Sequence, residues 1–232
     1  MSLRRKPVRV LLLVFGFYAL VYGMALGPRT SARRLNFWTS PVFRRAKPPP
    51  PVPPPAVPVS AIPPVPESLQ SIASRLIQPG TREWRTIVVH HSAGSSGNAA
   101  VIDRIHREVN GWENGLGYHF VIGNGNGSPV GAVEVGDRWI RQIQGAHAGV
   151  KATEYNQHGI GICVVGNYEE TGFPEDVYPA LRDLAVWLAR RYSIKPENVL
   201  PHRDVRGEPT DCPGKNFPLD RLREDVRQAL EK

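Results

Sequence analysis

Two segments of this chain carry side chains suited to a borderline-soft metal ion. The late segment PHRDVRGEPTDCPG, residues 201–214, places His202 and Cys212 in a His-x9-Cys spacing inside a loop punctuated by Gly and Pro. Imidazole and thiolate are donors that zinc prefers. Upstream, the pair His90-His91 closes the apolar run TIVVHH and is the candidate source of a third ligand. Three protein donors would leave the fourth tetrahedral position for water or a substrate oxygen, the arrangement of a catalytic site. In an extended strand successive side chains point to opposite faces, so His91 is not expected to share an ion with His90. The second cysteine, Cys163, permits a competing reading, a Cys163–Cys212 disulfide. His106, midway along an amphipathic pattern, is expected to face solvent or to be satisfied locally.

These residues need elements to position them. The β-branched run from Thr86 reads as a buried strand, apolar on both faces and central in its sheet. Glu67 to Gln78 has Leu69, Ile72, Leu76 and Ile77 on a helical period, and Asn98 can cap a helix from Ala99 to about Val109. YHFVIGN reads as a second strand, followed by a hairpin from Pro129 through Val135 and past Trp139. HGIGICVVGN, residues 158–167, is a third apolar strand. A helix from about Glu175 to Tyr192 follows, then a short strand at Asn198–Leu200 that delivers His202 into its loop, then a helix over Asp220–Leu230. The order implies an α/β fold: a single domain with a central mixed β-sheet flanked by helices.

The net charge of +8 invites a nucleic-acid reading, but its distribution removes the force of it. Residues 1–80 carry eleven Lys/Arg against one acid, whereas residues 81–232 carry eighteen against twenty. A duplex-binding domain would show its own positive stripe, so no nucleic-acid partner is expected, and the domain is read as a monomer. The basic leader runs into eighteen uncharged residues, Val10 to Gly27, long enough to span a bilayer core as a helix. Residues 1–28 are therefore read as a transmembrane signal anchor or signal peptide. The anchor is preferred, because Pro28 would follow a cut after Gly27. Twelve prolines lie between Pro41 and Pro66, and residues 29–66 read as a stiff, extended linker. Such a leader implies membrane attachment through the N-terminal helix and a location at the bacterial inner membrane facing the periplasm, or export. The globular part is assigned to 67–232.

The strings IVVHHSAG, GLGYHFVIGNGNG, GAHAG, HGIGICVVGN and PHRDVRGEPTDCPG, in this order, resemble the zinc-dependent N-acetylmuramoyl-L-alanine amidases of the type 2 amidase family, over a core of about residues 84–217. The resemblance implies Zn2+ held by His90, His202 and Cys212, and hydrolysis of the amide between N-acetylmuramic acid and L-alanine in peptidoglycan. It further implies Tyr118 beside the metal, orienting water or donating to the oxyanion, and Thr210, two residues before the last ligand, stabilising the tetrahedral intermediate. Trp112, His147 and Asn156 would line the cleft and contact peptidoglycan, with Trp139 a further apolar wall. Some family members have a glutamate base where this chain has Cys163, which leaves Tyr118 or metal-activated water for that role. A non-catalytic peptidoglycan-binding module and a phage-type endolysin are the alternatives; retention of Cys212 argues against the first.

Overall fold

The computed structural model describes residues 62–79, 82–205 and 209–232. Contacts divide the chain at Pro49–Pro50, and all described residues belong to the second unit. Among the described residues five strands form one sheet: β1 (Thr86–His91), β2 (Phe120–Ile122), β3 (Val133–Val135), β4 (Gly159–Val164) and β5 (Val199–Pro201), in the order β3-β2-β4-β1-β5. β1 pairs in parallel with β4 and β5, β4 in parallel with β2, and only β3 runs antiparallel, against β2. The sheet is mixed, as expected. β1 is covered on both faces, Ile87 and Val89 packing on one and Val88 on the other, which is why its run of β-branched residues carries no alternation of polar and apolar positions.

Strand periodicity divides the apolar residues between two layers. Ile87 and Val89 of β1, Phe120 and Ile122 of β2, and Ile160, Ile162 and Val164 of β4 face one side. There they pack with Leu181, Leu184 and Leu188 of α5 (Tyr178–Tyr192) and with Leu222 and Val226 of α7 (Leu219–Glu231). On the opposite side, Val121 and Cys163 pack with Ala99 and Ile102 of α2 (Ala99–Glu108). The start of α2 is set by Asn98, whose Oδ1 accepts from the Val101 amide, the capping bond that leaves one fewer orphan donor at the first turn.

Several local expectations shift in the structure. Glu67–Ile72 is a 3-10 turn leading into a four-residue α1 (Ala73–Leu76) in place of one continuous helix. The hairpin ends at Val135, and Trp139 lies in the short α3 (Asp137–Ile140). Trp139 is wholly buried, its indole N–H donating to the Leu76 carbonyl at 3.0 Å. It is core and cannot line a cleft. Cys163 and Cys212 are not joined to one another, so the competing disulfide is not formed. Packing also starts ahead of Glu67: Ile62 and Val65 lie against the core, and the Trp187 indole donates to the Pro63 carbonyl at 3.1 Å.

The expectation of a membrane-anchored protein requires correction. Among the described residues no helix is long and apolar enough to cross a membrane. The longest, α5, has fifteen residues and carries arginines along its length, short of the roughly 20 apolar residues that a span requires. The transmembrane or signal helix assigned to residues 1–28 lies outside the described residues, as does the linker up to residue 61. A membrane partner and an inner-membrane-anchored location are accordingly dropped.

Candidate metal centre

In an open α/β sheet ligands gather beyond the carboxyl ends of the parallel strands, and this chain places its metal donors there. His90 is the fifth residue of β1, on the face opposite Ile87 and Val89, and it is fully buried. Its register partner on β4 is Cys163. β5 ends at Pro201 and the chain turns at once into the one-turn α6 (His202–Val205), which projects His202 beside β1. The Arg203 amide donates to the Cys212 carbonyl at 2.8 Å, and the Cys212 amide donates to Thr210 Oγ1 at 3.3 Å. These ties close the loop between the two ligands and account for their spacing.

One donor atom each from His90, His202 and Cys212 lies within 4.8 Å of the others. Cys212 Sγ is 3.8 Å from His90 Nδ1, and the His90 and His202 ring centroids are 4.4 Å apart. Donors about 2.0–2.3 Å from a tetrahedral zinc stand roughly 3.5 Å from one another, so the observed cluster is of the size to close on such an ion. The His91 amide also donates to Cys212 Sγ at 3.4 Å. Burial, followed by the neighbouring imidazoles of His147, His202 and His91, holds His90 well below the usual histidine range, so its ring is neutral and able to ligate.

Of the pair at the strand end, only His90 enters the cluster. His91 points to the other face, where its Nδ1 accepts from the Tyr168 amide at 3.2 Å. His119 is structural as well: its Nδ1 accepts from the Gly161 amide, and its Nε2 donates to the Ile143 carbonyl.

Tyr118 packs against His90 with ring centroids 5.0 Å apart. Burial pushes its phenol well above the ordinary value, and the adjacent Cys163 and Cys212 sulfurs push the same way. A phenol held so high is a hydrogen-bond donor at neutral pH and not a base. Cys163 is likewise raised well above its usual value, mainly by burial. It stays a thiol and does not replace a carboxylate base. Trp112 lies against His106 in a tilted arrangement with ring centroids 4.5 Å apart, and His106 in turn flanks Tyr118 at 5.7 Å. His106 is satisfied, the second of the two expectations for it: its Nδ1 accepts from the Gly117 amide just ahead of Tyr118. Its position eleven residues before Gly117, on the polar border of a helix, gave no sign of that bond.

The remaining expected residues stand as follows. Thr210 is half-buried on the ligand loop. Asn156, on the short α4 (Thr153–His158), accepts through Oδ1 from the amides of both His147 and Ala148 at 2.9 Å, and its Nδ2 donates to the Gly149 carbonyl. His147 is buried directly behind His90, with Nδ1 3.1 Å from His90 Nε2 and Nε2 3.1 Å from the Gly159 carbonyl oxygen. Burial lowers its pKa to about 4, so it is neutral across the physiological range.

Residues 80–215 match the family described as N-acetylmuramoyl-L-alanine amidase. Peptidoglycan-recognition protein SC2 of Drosophila melanogaster is 34% identical over 139 residues, 56% of this chain and 68% of that protein. Among solved structures, the N-acetylmuramoyl-L-alanine amidase LysC from Clostridium intestinale URNW superposes with a TM-score of 0.52 at 30% identity, over 62% of this chain and 85% of that one. The endolysin amidase LysCS from the same organism gives 0.50 at 29%, over 62% and 83%.

Proposed function

Since the chain belongs to the N-acetylmuramoyl-L-alanine amidase family, we propose that its buried cluster holds zinc and that it hydrolyses the amide joining N-acetylmuramic acid to L-alanine in peptidoglycan. The observation that carries this reading is the convergence of His90, His202 and Cys212 donor atoms within 4.8 Å. Two imidazoles and a thiol or thiolate match a catalytic zinc in both number and chemistry. When bound, zinc would acidify water and polarise the scissile carbonyl.

The protein's own residues supply the rest. Tyr118, next to His90 and held protonated, donates a hydrogen bond where negative charge develops on the carbonyl oxygen. Thr210 Oγ1 already accepts from the Cys212 amide, which leaves its hydroxyl proton free to be given to the same oxygen. With Tyr118 and Cys163 both held protonated, neither takes the proton from the attacking water. The Trp112–His106–Tyr118 row offers an apolar edge on which substrate can lie. A binding module without hydrolysis is disfavoured by the complete donor set.

The test is digestion of purified peptidoglycan by the full chain, with and without chelator, reading the products by mass spectrometry. Free stem peptides with a new L-alanine amino terminus are expected, and they should vanish on chelation. Cys212→Ala should lose both metal and products, while Cys163→Ala should retain both. Zinc-loaded protein that binds peptidoglycan without releasing stem peptides would overturn the assignment.

A further inference from the structure

His147 reaches the metal donors only through His90, and both of its ring nitrogens are engaged. The Gly159 carbonyl can only accept, so His147 Nε2 carries the proton of that 3.1 Å bond. A neutral ring has one N–H, and Nδ1 of His147 is then an acceptor. The 3.1 Å contact from His90 Nε2 must accordingly be a donation by His90. That places the His90 lone pair on Nδ1, the nitrogen facing Cys212 Sγ.

The ring has no room for another pose. A Cβ on Gly145 would meet His147 Cδ2 at 2.3 Å, and one on Gly161 would meet it at 2.5 Å. The imidazole thus lies pressed against two backbones that only glycine can supply there. Asn156 pins its main chain by accepting from the His147 and Ala148 amides, and the Gly145 amide donates back to the Asn156 carbonyl. Both ring nitrogens of His147 are engaged, which leaves neither for peptidoglycan.

We propose that His147 is a positioning residue for the metal: through the relay Gly159 carbonyl–His147–His90 it selects the His90 tautomer whose Nδ1 ligates, with Asn156, Gly145 and Gly161 shaping the slot that holds it. The proposal rests on the zinc reading above. Outer partners of this kind fix ligand orientation and basicity, and their loss typically costs about 10- to 100-fold in metal affinity.

Zinc affinity of the full chain, measured by competition with a chromophoric chelator, tests this with two near-isosteric replacements. His147→Leu, which cannot accept, should weaken zinc binding by about 10- to 100-fold. His147→Asn, whose Oδ1 takes the place of Nδ1, should recover most of that loss. A purely space-filling role would give both variants the same affinity. Proton–nitrogen correlation spectra of the metal-free wild type should show His90 protonated on Nε2, a readout that does not depend on how well either variant folds. Protonation on Nδ1 would overturn the proposal, as would wild-type affinity in a folded His147→Leu chain. A wild-type chain that takes up no zinc would overturn the metal reading and this proposal with it, whereas an effect missing only in His147→Leu sinks the proposal alone.

Discussion

Tyr118 shows how a residue's role follows from its surroundings. A phenol in water titrates near 10, and here burial and two sulfur neighbours push it higher, so it serves as donor alone. Tyr118→Phe keeps the ring against His90 and removes only the hydroxyl. Removal of one oxyanion donor costs on the order of 10²-fold in kcat, and that drop is expected here with zinc affinity unchanged. An equal loss of metal in steady-state and chelator-competition measurements would instead make Tyr118 a support for His90. The Cys163 thiol, beside both, has no such role: with its register partner His90 it packs beneath the site.

At the scale of elements, the site depends on β1 and β4 keeping one register. Val88 pairs with Gly161 and His90 with Cys163, so the bare Gly161 backbone lies in the row where the His147 ring must rest. Gly161→Ala would drive a methyl into that ring at 2.5 Å. Overpacking of this sort costs about 1–3 kcal/mol, and the change should lower both the urea midpoint and zinc affinity. A variant as stable and as zinc-avid as the parent would show that the ring can move aside. The ligand loop is a second case. The short α6 aims His202, and the Arg203–Cys212 backbone bond returns the chain to bring the thiol alongside.

For the whole molecule, two expectations concern stability. Residues 62–66 belong with the packed unit, because Ile62 and Val65 touch the core and Pro63 satisfies the buried Trp187 indole. Removing residues 1–66 should therefore cost about 1–3 kcal/mol more than removing 1–61, the range for stranding a buried donor; equal urea midpoints would refute this. The other is acid sensitivity of the metal-free protein. His147 titrates at about 4 when folded against about 6.5 when unfolded, so between those values the unfolded chain binds a proton that the folded one refuses. Its contribution is complete above pH 6.5 and is lost as pH falls toward 4, by about 3 kcal/mol. His90 and His119 shift in the same direction and for the same reason. Denaturation midpoints that stay level from pH 7 to 4.5 would contradict the burial of these rings.

The residue order alone determined the α/β class and the late His202–Cys212 donor pair, because β-strand periodicity and ligand chemistry are local properties that a string of residues displays. TIVVHH announces a central strand by its composition, and His-x9-Cys announces a soft-metal pair by its types. Only the tertiary structure decided which of His90 and His91 faces the cluster, since that turns on the parity of the strand against the sheet. It also decided that Trp139 is core, that Cys163 and Cys212 stay apart, and that His147 lies behind His90 with both nitrogens engaged. The burial of Trp139 and the placing of His147 behind His90 depend on groups 63 and 57 residues apart in the chain meeting at hydrogen-bond distance, and long-range encounters of that kind leave no mark on local sequence.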